Sequence, residues 1–353
     1  MYYLIVNFLI FSLSFFVLSF LNIPHKKKEQ FLFLQLSIQL LYVHVLKDYT
    51  TLPDLREYVL GYNYARSLTI DSVDHIQWYH KFELGWCYLN FVLSKFCAHH
   101  ILLFFITSSI IIGSYSYLSW RYSVNPLFSL FLFFFLLYGQ SLFVLRQNVA
   151  MALCFLTIPY ILERKIKPFL LIILIAFFIH KTALVFLVIY YIYQLDLNKK
   201  NLLFLIGCGG SVIVCFSLII SMLSSYISGF EGYITKENAV STNYVMFLIQ
   251  FCVFILFLIS DLKMKTLSGI NKLLFLMLIV GMVMSFASVG LNSILGRFNM
   301  YFTSIIFLTI PTFLNFYYGN LKGVLNLIVF ILFMLLFFRS TEYIKEIQLI
   351  TLF

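Results

Sequence analysis

The sequence predicts an all-α, polytopic integral membrane protein, a single membrane domain over residues 1–353 with roughly 10–12 transmembrane helices. Hydrophobic residues make up 62% of the chain and charged residues 11%, and the mean hydropathy is +0.97. A water-soluble chain of this length needs far more charge to cover its surface, so the apolar excess must face lipid. The net charge of +10 is spread over short clusters between apolar runs. That pattern is typical of loops at a cytoplasmic membrane surface and excludes the continuous basic face of a nucleic-acid-binding protein.

The first apolar run, 2–21, predicts a transmembrane helix and not a signal peptide. It has no basic n-region and no cleavage motif, and His25-Lys26-Lys27-Lys28 follows it. The later runs of about the length that a span needs are 31–46, 101–119, 126–143, 147–162, 168–195, 202–222, 244–260, 270–290, 297–317 and 323–338.

The basic clusters set the orientation of these runs. They are Lys26–Lys28, Arg121, Arg164/Lys165/Lys167, Lys199/Lys200, Lys263/Lys265 and Lys322. If all of them are cytoplasmic, one outward and one inward pass separates each neighbouring pair, as the positive-inside rule requires. Both termini then lie on the outer face.

Three stretches do not fit plain spans. The stretch 125–162 is too long for one crossing, so we expect a turn near Gly139-Gln140. The stretch 168–195 predicts a pair of short or re-entrant helices broken at His180-Lys181-Thr182. The stretch 270–317 predicts a turn at Gly290-Leu291-Asn292-Ser293 and Gly296.

Two outer loops are predicted. The first, 47–97, is polar up to Lys81 and continues as an apolar segment that we interpret as an interfacial helix, because a span there would invert every later loop. Its acidic residues are interpreted as solubilising. Its aromatic residues fit either sugar stacking or an ordinary interfacial belt. The second outer loop is about 224–243.

The cysteines predict neither a disulfide framework nor a zinc site, because they lie in or beside apolar segments and form no C-x-x-C pair. They are Cys87, Cys97, Cys154, Cys208, Cys215 and Cys252.

Each of the three outer turns puts a basic side chain at the start of an inward helix. The three are Arg146 in Leu145-Arg146-Gln147-Asn148, Lys181 after His180, and Arg297 after Gly296. Helix N-termini carry partial positive charge and unpaired N–H groups, and arginine adds a bidentate fork for phosphate oxygens. The pattern predicts a pocket for an anionic head group at the outer leaflet.

Each residue also has a structural explanation that the sequence leaves open. Arg146 and Lys181 fit interfacial anchors that reach lipid phosphates, and Arg297 fits an ordinary turn. His180 fits a neutral imidazole that caps a broken helix. Glu83 fits a helix N-cap at the start of the interfacial segment.

Four segments resemble the EpsG family of bacterial polysaccharide proteins, in the family's order. LRQNVA at 145–150 and FIHKTAL at 178–184 resemble its L-R-Q-x-x-A and F-x-H-K-[ST]-A-L patterns, which are fairly specific. FELGWCYLNFVL at 82–93 and GRFNMYF at 296–302 resemble weaker patterns, E-x-G-[FY] and G-R-x-x-x-Y-[FL].

The resemblance implies a Wzy-like repeat-unit polymerase, a membrane glycosyltransferase of O-antigen, capsule or exopolysaccharide assembly. Such an enzyme transfers a glycan from undecaprenyl pyrophosphate to the non-reducing end of another lipid-linked repeat unit. It implies a bacterial inner membrane location, an active site facing the periplasm, and a GT-C-like fold. The expected partners are the lipid-linked oligosaccharide, the bilayer and a chain-length regulator protein. No metal and no other cofactor is expected, and the outer loop has no Asp-x-Asp pair.

The resemblance also implies roles for the residues of these segments. The pyrophosphate is expected at Arg146, Gln147, Lys181, Arg297 and Tyr301. The base is expected to be Glu83 or His180, because a carboxylate at a dry interface and an imidazole both titrate in a useful range.

The assignment of function requires that Arg146, Arg297 and His180 open into one cavity. Two alternative functions remain: an O-antigen ligase-like transferase with a lipid A-core acceptor, and a lipid-linked oligosaccharide flippase.

Overall fold

The fold is all-α. The computed structural model describes residues 2–21, 23–50, 53–198, 200–201, 203–205, 207, 211, 240–259, 267–288, 293–317 and 319–340. These ranges contain helices and no β-strand. The predicted all-α membrane fold is confirmed.

The chain forms two compact units. The first contains Met1–Leu156, Leu174–Lys181 and Asn326–Phe353, and the second contains Thr157–Ile173 and Thr182–Leu325.

The helices of the first part of the chain are α1 Tyr2–Phe20, α2 His25–Val45, α3 Pro53–Ser67, α4 Asp74–His80, α5 Leu84–Phe96, α6 Ile101–Tyr122, α7 Pro126–Phe133, α8 Gly139–Ser141 and α9 Leu145–Leu156. The first unit is built around α6, which packs against α2, α5, α7 and α9. In the segment predicted to be the first outer loop, α3 and α4 pack against α5.

The helices of the later part of the chain are α10 Ile158–Leu162, α11 Ile166–Ile179, α12 Leu187–Gln194, α13 Val240–Ile259, α14 Gly269–Ser288, α15 Ser293–Thr303, α16 Ile306–Leu314 and α17 Gly319–Ser340. The second unit is built around α14, which packs against α10, α12, α13, α15 and α16. Seven consecutive residues of α14, Leu273 to Ile279, are all buried. A helix that is buried on every side is the centre of its unit.

Apolar surface that no protein atom covers identifies the lipid-facing sides. Leu171 on α11 is 61% exposed and Leu327 on α17 is 59% exposed. Three helical stretches of the described chain are long and apolar enough to cross a membrane: Ile101–Tyr122, Leu145–Leu162 and Gly269–Phe286. Shorter apolar helices accompany them, so the predicted total of spans stays a prediction.

The predicted break at His180-Lys181-Thr182 is confirmed. α11 ends at Ile179 after 14 residues, about 21 Å, and a 3-10 helix, Lys181–Phe186, leads into α12. Within the second unit the Phe169 and Tyr190 rings lie 4.9 Å apart, so the start of α11 and the end of α12 are neighbours. The pair is therefore a helical hairpin shorter than a bilayer crossing.

The predicted turn at Gly139-Gln140 lies elsewhere, and Gly296 is not part of a turn. The helix that starts at Pro126 continues through a π-helical turn, Phe134–Tyr138, and through α8, so the chain reverses at 142–144 and not at Gly139-Gln140. Gly139 has helical backbone angles, so nothing forces a turn there. Gly296 lies inside α15, where it continues the helix and makes no turn.

Some predictions fall outside the described residues: most of the run 202–222, most of the outer loop 224–243, and residues 290–292 of the third turn. The basic residues Lys26–Lys28 lie in the first turn of α2 and not in a loop.

A buried polar cluster holds the segment before α9 in place. It includes Lys47, which belongs to the polar part of the predicted outer loop. His44 Nδ1 lies 2.7 Å from Ser108 Oγ, and its Nε2 lies 3.2 Å from Ser141 Oγ. Lys47, which is fully buried, donates to the His44 carbonyl at 3.0 Å. The Tyr138 hydroxyl donates to the Leu40 carbonyl at 2.7 Å. Together these bonds tie the π-helical turn to the end of α2.

Candidate active site around Glu83

Glu83 occupies the N-cap position of α5 but does not cap it. Its side chain makes no capping hydrogen bond, which rules out the simple structural explanation. The carboxylate instead accepts from Arg146 Nη1 with one oxygen and lies 2.8 Å from His180 Nδ1 with the other. Its side chain is only 11% exposed. A buried charge needs such partners to remain ionised.

The guanidinium of Arg146 is held between the carboxylate and two aromatic rings. Arg146 is the second residue of α9, and its Cζ lies 4.7 Å from the centre of the Phe82 ring and 5.8 Å from that of Tyr58. The side chain is 21% exposed. Cation–π contacts and an ion pair fix the guanidinium in the protein, so Arg146 is not a freely snorkelling anchor.

The ionisation of Glu83 decides the tautomer of His180. Burial raises the pKa of Glu83, but the hydrogen bond from His180 and the charge of Arg146 outweigh it and bring that pKa to about 2. An ionised carboxylate only accepts hydrogen bonds, so His180 Nδ1 must carry the proton. The lone pair of a neutral His180 is therefore on Nε2.

Two buried polar atoms of the ion-paired cluster lack a partner in the described part of the protein, His180 Nε2 and Arg146 Nε. Buried polar atoms without partners cost free energy unless a ligand or water satisfies them. The cluster therefore offers one base and one N–H donor to a bound molecule.

A close approach of two helices in the first unit brings these groups together. A Cβ atom on Gly85 would lie 2.7 Å from the Cβ and the carbonyl oxygen of Phe178. Only glycine allows the start of α5 to contact the last turn of α11 this closely. Glu83 lies two residues before Gly85, and His180 lies two residues after Phe178.

The other predicted site residues have different surroundings. Lys181 is exposed, and its backbone N–H reaches Glu83 Oε1 at 3.4 Å. Gln147 is buried in α9, 2% exposed. Arg297 is exposed in the second unit. Tyr301, also in the second unit, is fully buried, and its hydroxyl lies 3.0 Å from Thr182 Oγ1. Their roles in ligand binding, and the shared cavity, stay predictions.

Sequence reasoning missed the aromatic part of the site. Tyr58 and Phe82 lie against the Arg146 guanidinium, and Trp86 packs on Tyr58. All three side chains are at most 4% exposed. Phe82 could have been suspected because it precedes Glu83 in the same segment. Tyr58 carries no local signal, since its position on the outer loop resembles that of any interfacial tyrosine.

The comparison with known families decides the identity of the chain. A model of the EpsG family matches residues 38–351, nearly the whole chain. The chain belongs to the EpsG family. This is a family of Wzy-like polymerases, and membership indicates a Wzy-like polymerase or a related membrane glycosyltransferase. Comparison with curated proteins and with solved structures gives no match.

Gly85 of this EpsG-family protein should not tolerate a side chain. We expect Gly85→Ala to lower the free energy of unfolding by about 1–3 kcal/mol through overpacking. Gly113→Ala is the matched control, because nothing lies within 4 Å of the added Cβ. Thermal unfolding of the two variants in lipid nanodiscs measures the difference. Equal midpoints for the two would contradict the close approach.

The Glu83 carboxylate should make stability depend on pH in the acid range. Its folded pKa of about 2 lies below the ordinary 4.5, so its contribution is complete above pH 4.5 and is lost as the pH falls towards 2. The difference in unfolding midpoint between the native protein and Glu83→Gln should shrink over that interval. Glu163→Gln, at a side chain that is 54% exposed, should show a much smaller change. A pH-independent difference for Glu83→Gln counts against the ion pair.

The Thr182–Tyr301 hydrogen bond should appear as a coupling energy. A double-mutant cycle with Thr182→Val and Tyr301→Phe should give a coupling of about 1 kcal/mol in the free energy of unfolding. Tyr317→Phe removes a different hydroxyl, which donates to the Leu256 carbonyl, and should be additive with Thr182→Val. A zero coupling in the first cycle would show that the bond contributes nothing.

Proposed function

We propose that the protein is a repeat-unit polymerase that transfers a glycan from undecaprenyl pyrophosphate to the non-reducing end of another lipid-linked repeat unit. The observation that carries the proposal is the Glu83–His180–Arg146 cluster, which joins three of the segments that match the family pattern. Glycosyl transfer needs a base for the acceptor hydroxyl and a cation for the leaving pyrophosphate. The cluster contains both.

His180 is the base in this proposal. Its Nε2 has no other partner among the described residues, and Glu83 holds the proton on Nδ1. Nε2 takes the proton of the acceptor hydroxyl as that oxygen bonds to the anomeric carbon of the donor. Glu83 then stabilises the imidazolium, so it is a positioning residue and not the base. A carboxylate with a pKa of about 2 accepts protons too weakly at neutral pH.

Arg146 stabilises the leaving group. One N–H of its guanidinium is bonded to Glu83, and the Nε–H remains available within a setting that is largely shielded from water. As the bond from the anomeric carbon to the pyrophosphate oxygen breaks, negative charge develops on that oxygen. A guanidinium that is already fixed needs little reorganisation to stabilise this charge. Lys181 and Arg297 are proposed to add positive charge for the same anion.

The proposal places the site at the outer face of the bacterial inner membrane. The basic inner turn at Arg164 and Lys165 precedes α11, and His180 follows the other end of that helix. By the positive-inside rule, the tip of this hairpin, where His180 lies, then points towards the periplasmic side. Glycan repeat units on an undecaprenyl carrier would be presented on that side.

The test is glycan length in a deletion strain that carries variants of this protein. Arg146→Ala and His180→Gln should each reduce polymerisation by about 10²-fold or more, leaving single repeat units on the cell surface. Gel profiles of surface glycan and of the carrier lipid measure this, with the membrane level of each variant measured in parallel. Arg66→Ala, at an exposed arginine on α3, is the control and should keep long chains.

The carrier lipid separates the competing functions. Long glycans that accumulate on the carrier in the deletion strain would indicate a ligase. Repeat units that remain on the cytoplasmic side would indicate a flippase. Normal chain length in Arg146→Ala would remove this site from polymerisation.

A further inference from the structure

Four aromatic rings form a continuous row that leads away from the ion pair. The aromatic row consists of Tyr79, Tyr64, His80 and Phe82. The centres of the Tyr79 and Tyr64 rings are 5.5 Å apart, and those of Tyr64 and His80 are 6.2 Å apart. His80 stacks on Phe82 at 5.3 Å, and Phe82 lies under the Arg146 guanidinium. The last ring of the row is therefore part of the candidate active site.

Exposure rises along the row with distance from the ion pair. Phe82 is 3% exposed, the His80 side chain 14%, and Tyr79 76%. Tyr64 is intermediate. The row is therefore buried at the Arg146 end and reaches the protein surface at Tyr79.

The row is fixed in place by local structure. His80 Nδ1 lies 3.1 Å from Glu57 Oε2, which orients the imidazole. Lys81 adopts a left-handed conformation, φ 51°, which ends α4 and turns the chain from His80 to Phe82. A Cβ on Gly61 would lie 2.6 Å from the Phe82 ring, so a glycine is needed for that ring to pack on α3. Rings that are ordered before binding lose little entropy when a ligand stacks on them.

The chemistry around the open end favours a polar ligand with apolar faces. Tyr79 shares its side of α4 with His75, one helical turn earlier, and Asp74 is also exposed. Glu57 is 54% exposed beside His80. Lipid tails would require an apolar surround, which Asp74, Glu57 and His75 do not provide. A pyranose ring matches, because its C–H face packs on aromatic rings and its hydroxyls bond to carboxylate and imidazole.

We propose that the aromatic row is a carbohydrate subsite, in which Tyr79 and Tyr64 stack on pyranose rings of the glycan whose reacting end lies at His180 and Arg146. The subsite rests on the proposed function, because it is defined relative to the transfer site. It binds sugars remote from the reacting bond, and it stabilises the bound substrate and the transition state equally. Two sources of the sugar share this chemistry, the growing chain on the donor and the repeat unit on the acceptor.

The test uses purified protein in nanodiscs with lipid-linked repeat units extracted from the deletion strain. Tyr79→Ala should raise KM for one substrate about fivefold to tenfold, the value of one lost stacking contact, with kcat changed less than about twofold. Tyr79→Phe should restore most of the affinity, because it keeps the ring. Since Tyr79 is mostly exposed, neither change should unfold the protein. Carrier-linked long chains extracted from wild-type cells serve as the donor, and single units from the deletion strain serve as the acceptor. The substrate whose KM rises, with the other held saturating, is the source of the stacked sugar.

Tyr88→Ala is the matched control, because Tyr88 is 48% exposed on α5 and lies outside the aromatic row. An equal KM increase for Tyr88→Ala would identify an interfacial anchor effect and overturn the subsite. An unchanged KM for both substrates in Tyr79→Ala would overturn it as well.

Direct binding separates this proposal from the proposed function. The probe is the oligosaccharide that mild acid releases from the same lipid extract, and saturation-transfer NMR reports its contact with the protein in nanodiscs. His180→Gln should keep the signal and Tyr79→Ala should weaken it about fivefold or more. If Tyr79→Ala keeps the full signal, as His180→Gln should, the subsite is overturned. This conclusion holds even where His180→Gln abolishes polymerisation. Retained polymerisation in His180→Gln counts against the transfer mechanism alone.

Discussion

The shared carboxylate of Glu83 is the interaction on which the site depends. It joins the start of α5 to Arg146, 63 residues later, and to His180, 97 residues later. An ionised carboxylate in this buried place is tolerated only while both partners remain in contact. The three helix ends must therefore meet before the charge becomes stable, and the charge in turn keeps them together.

Because one carboxylate bonds both His180 and Arg146, it fixes the positions of both side chains. Glu83 interacts with both neighbours and therefore has a strongly lowered pKa. His180 is left with a lone pair on Nε2, and Arg146 with an unbonded Nε–H. One carboxylate thus holds an imidazole lone pair and a guanidinium N–H side by side.

Small residues let the helices come close enough for these contacts. Gly85 allows α5 to meet α11 at the backbone, and Gly61 makes room for the ring that supports Arg146. Helices in lipid gain little from hydrophobic association, so they depend on such close packing and on buried polar bonds. The His44 cluster is an example of the latter, because it ties the turn before α9 to the end of α2. Precision at the site therefore comes from packing several residues away.

The sequence by itself determined the all-α membrane class, the break at His180 and the segments that carry the family pattern. Hydropathy, run length and short motifs are properties of neighbouring residues in the sequence, so they can be read without a structure. The tertiary structure decided which of those segments meet. It showed that Glu83 is a shared partner and not a cap, that Lys47 is buried, and that the chain turns after Ser141. These facts depend on contacts between residues that are far apart along the chain. The periodicity within one helix does not predict such contacts.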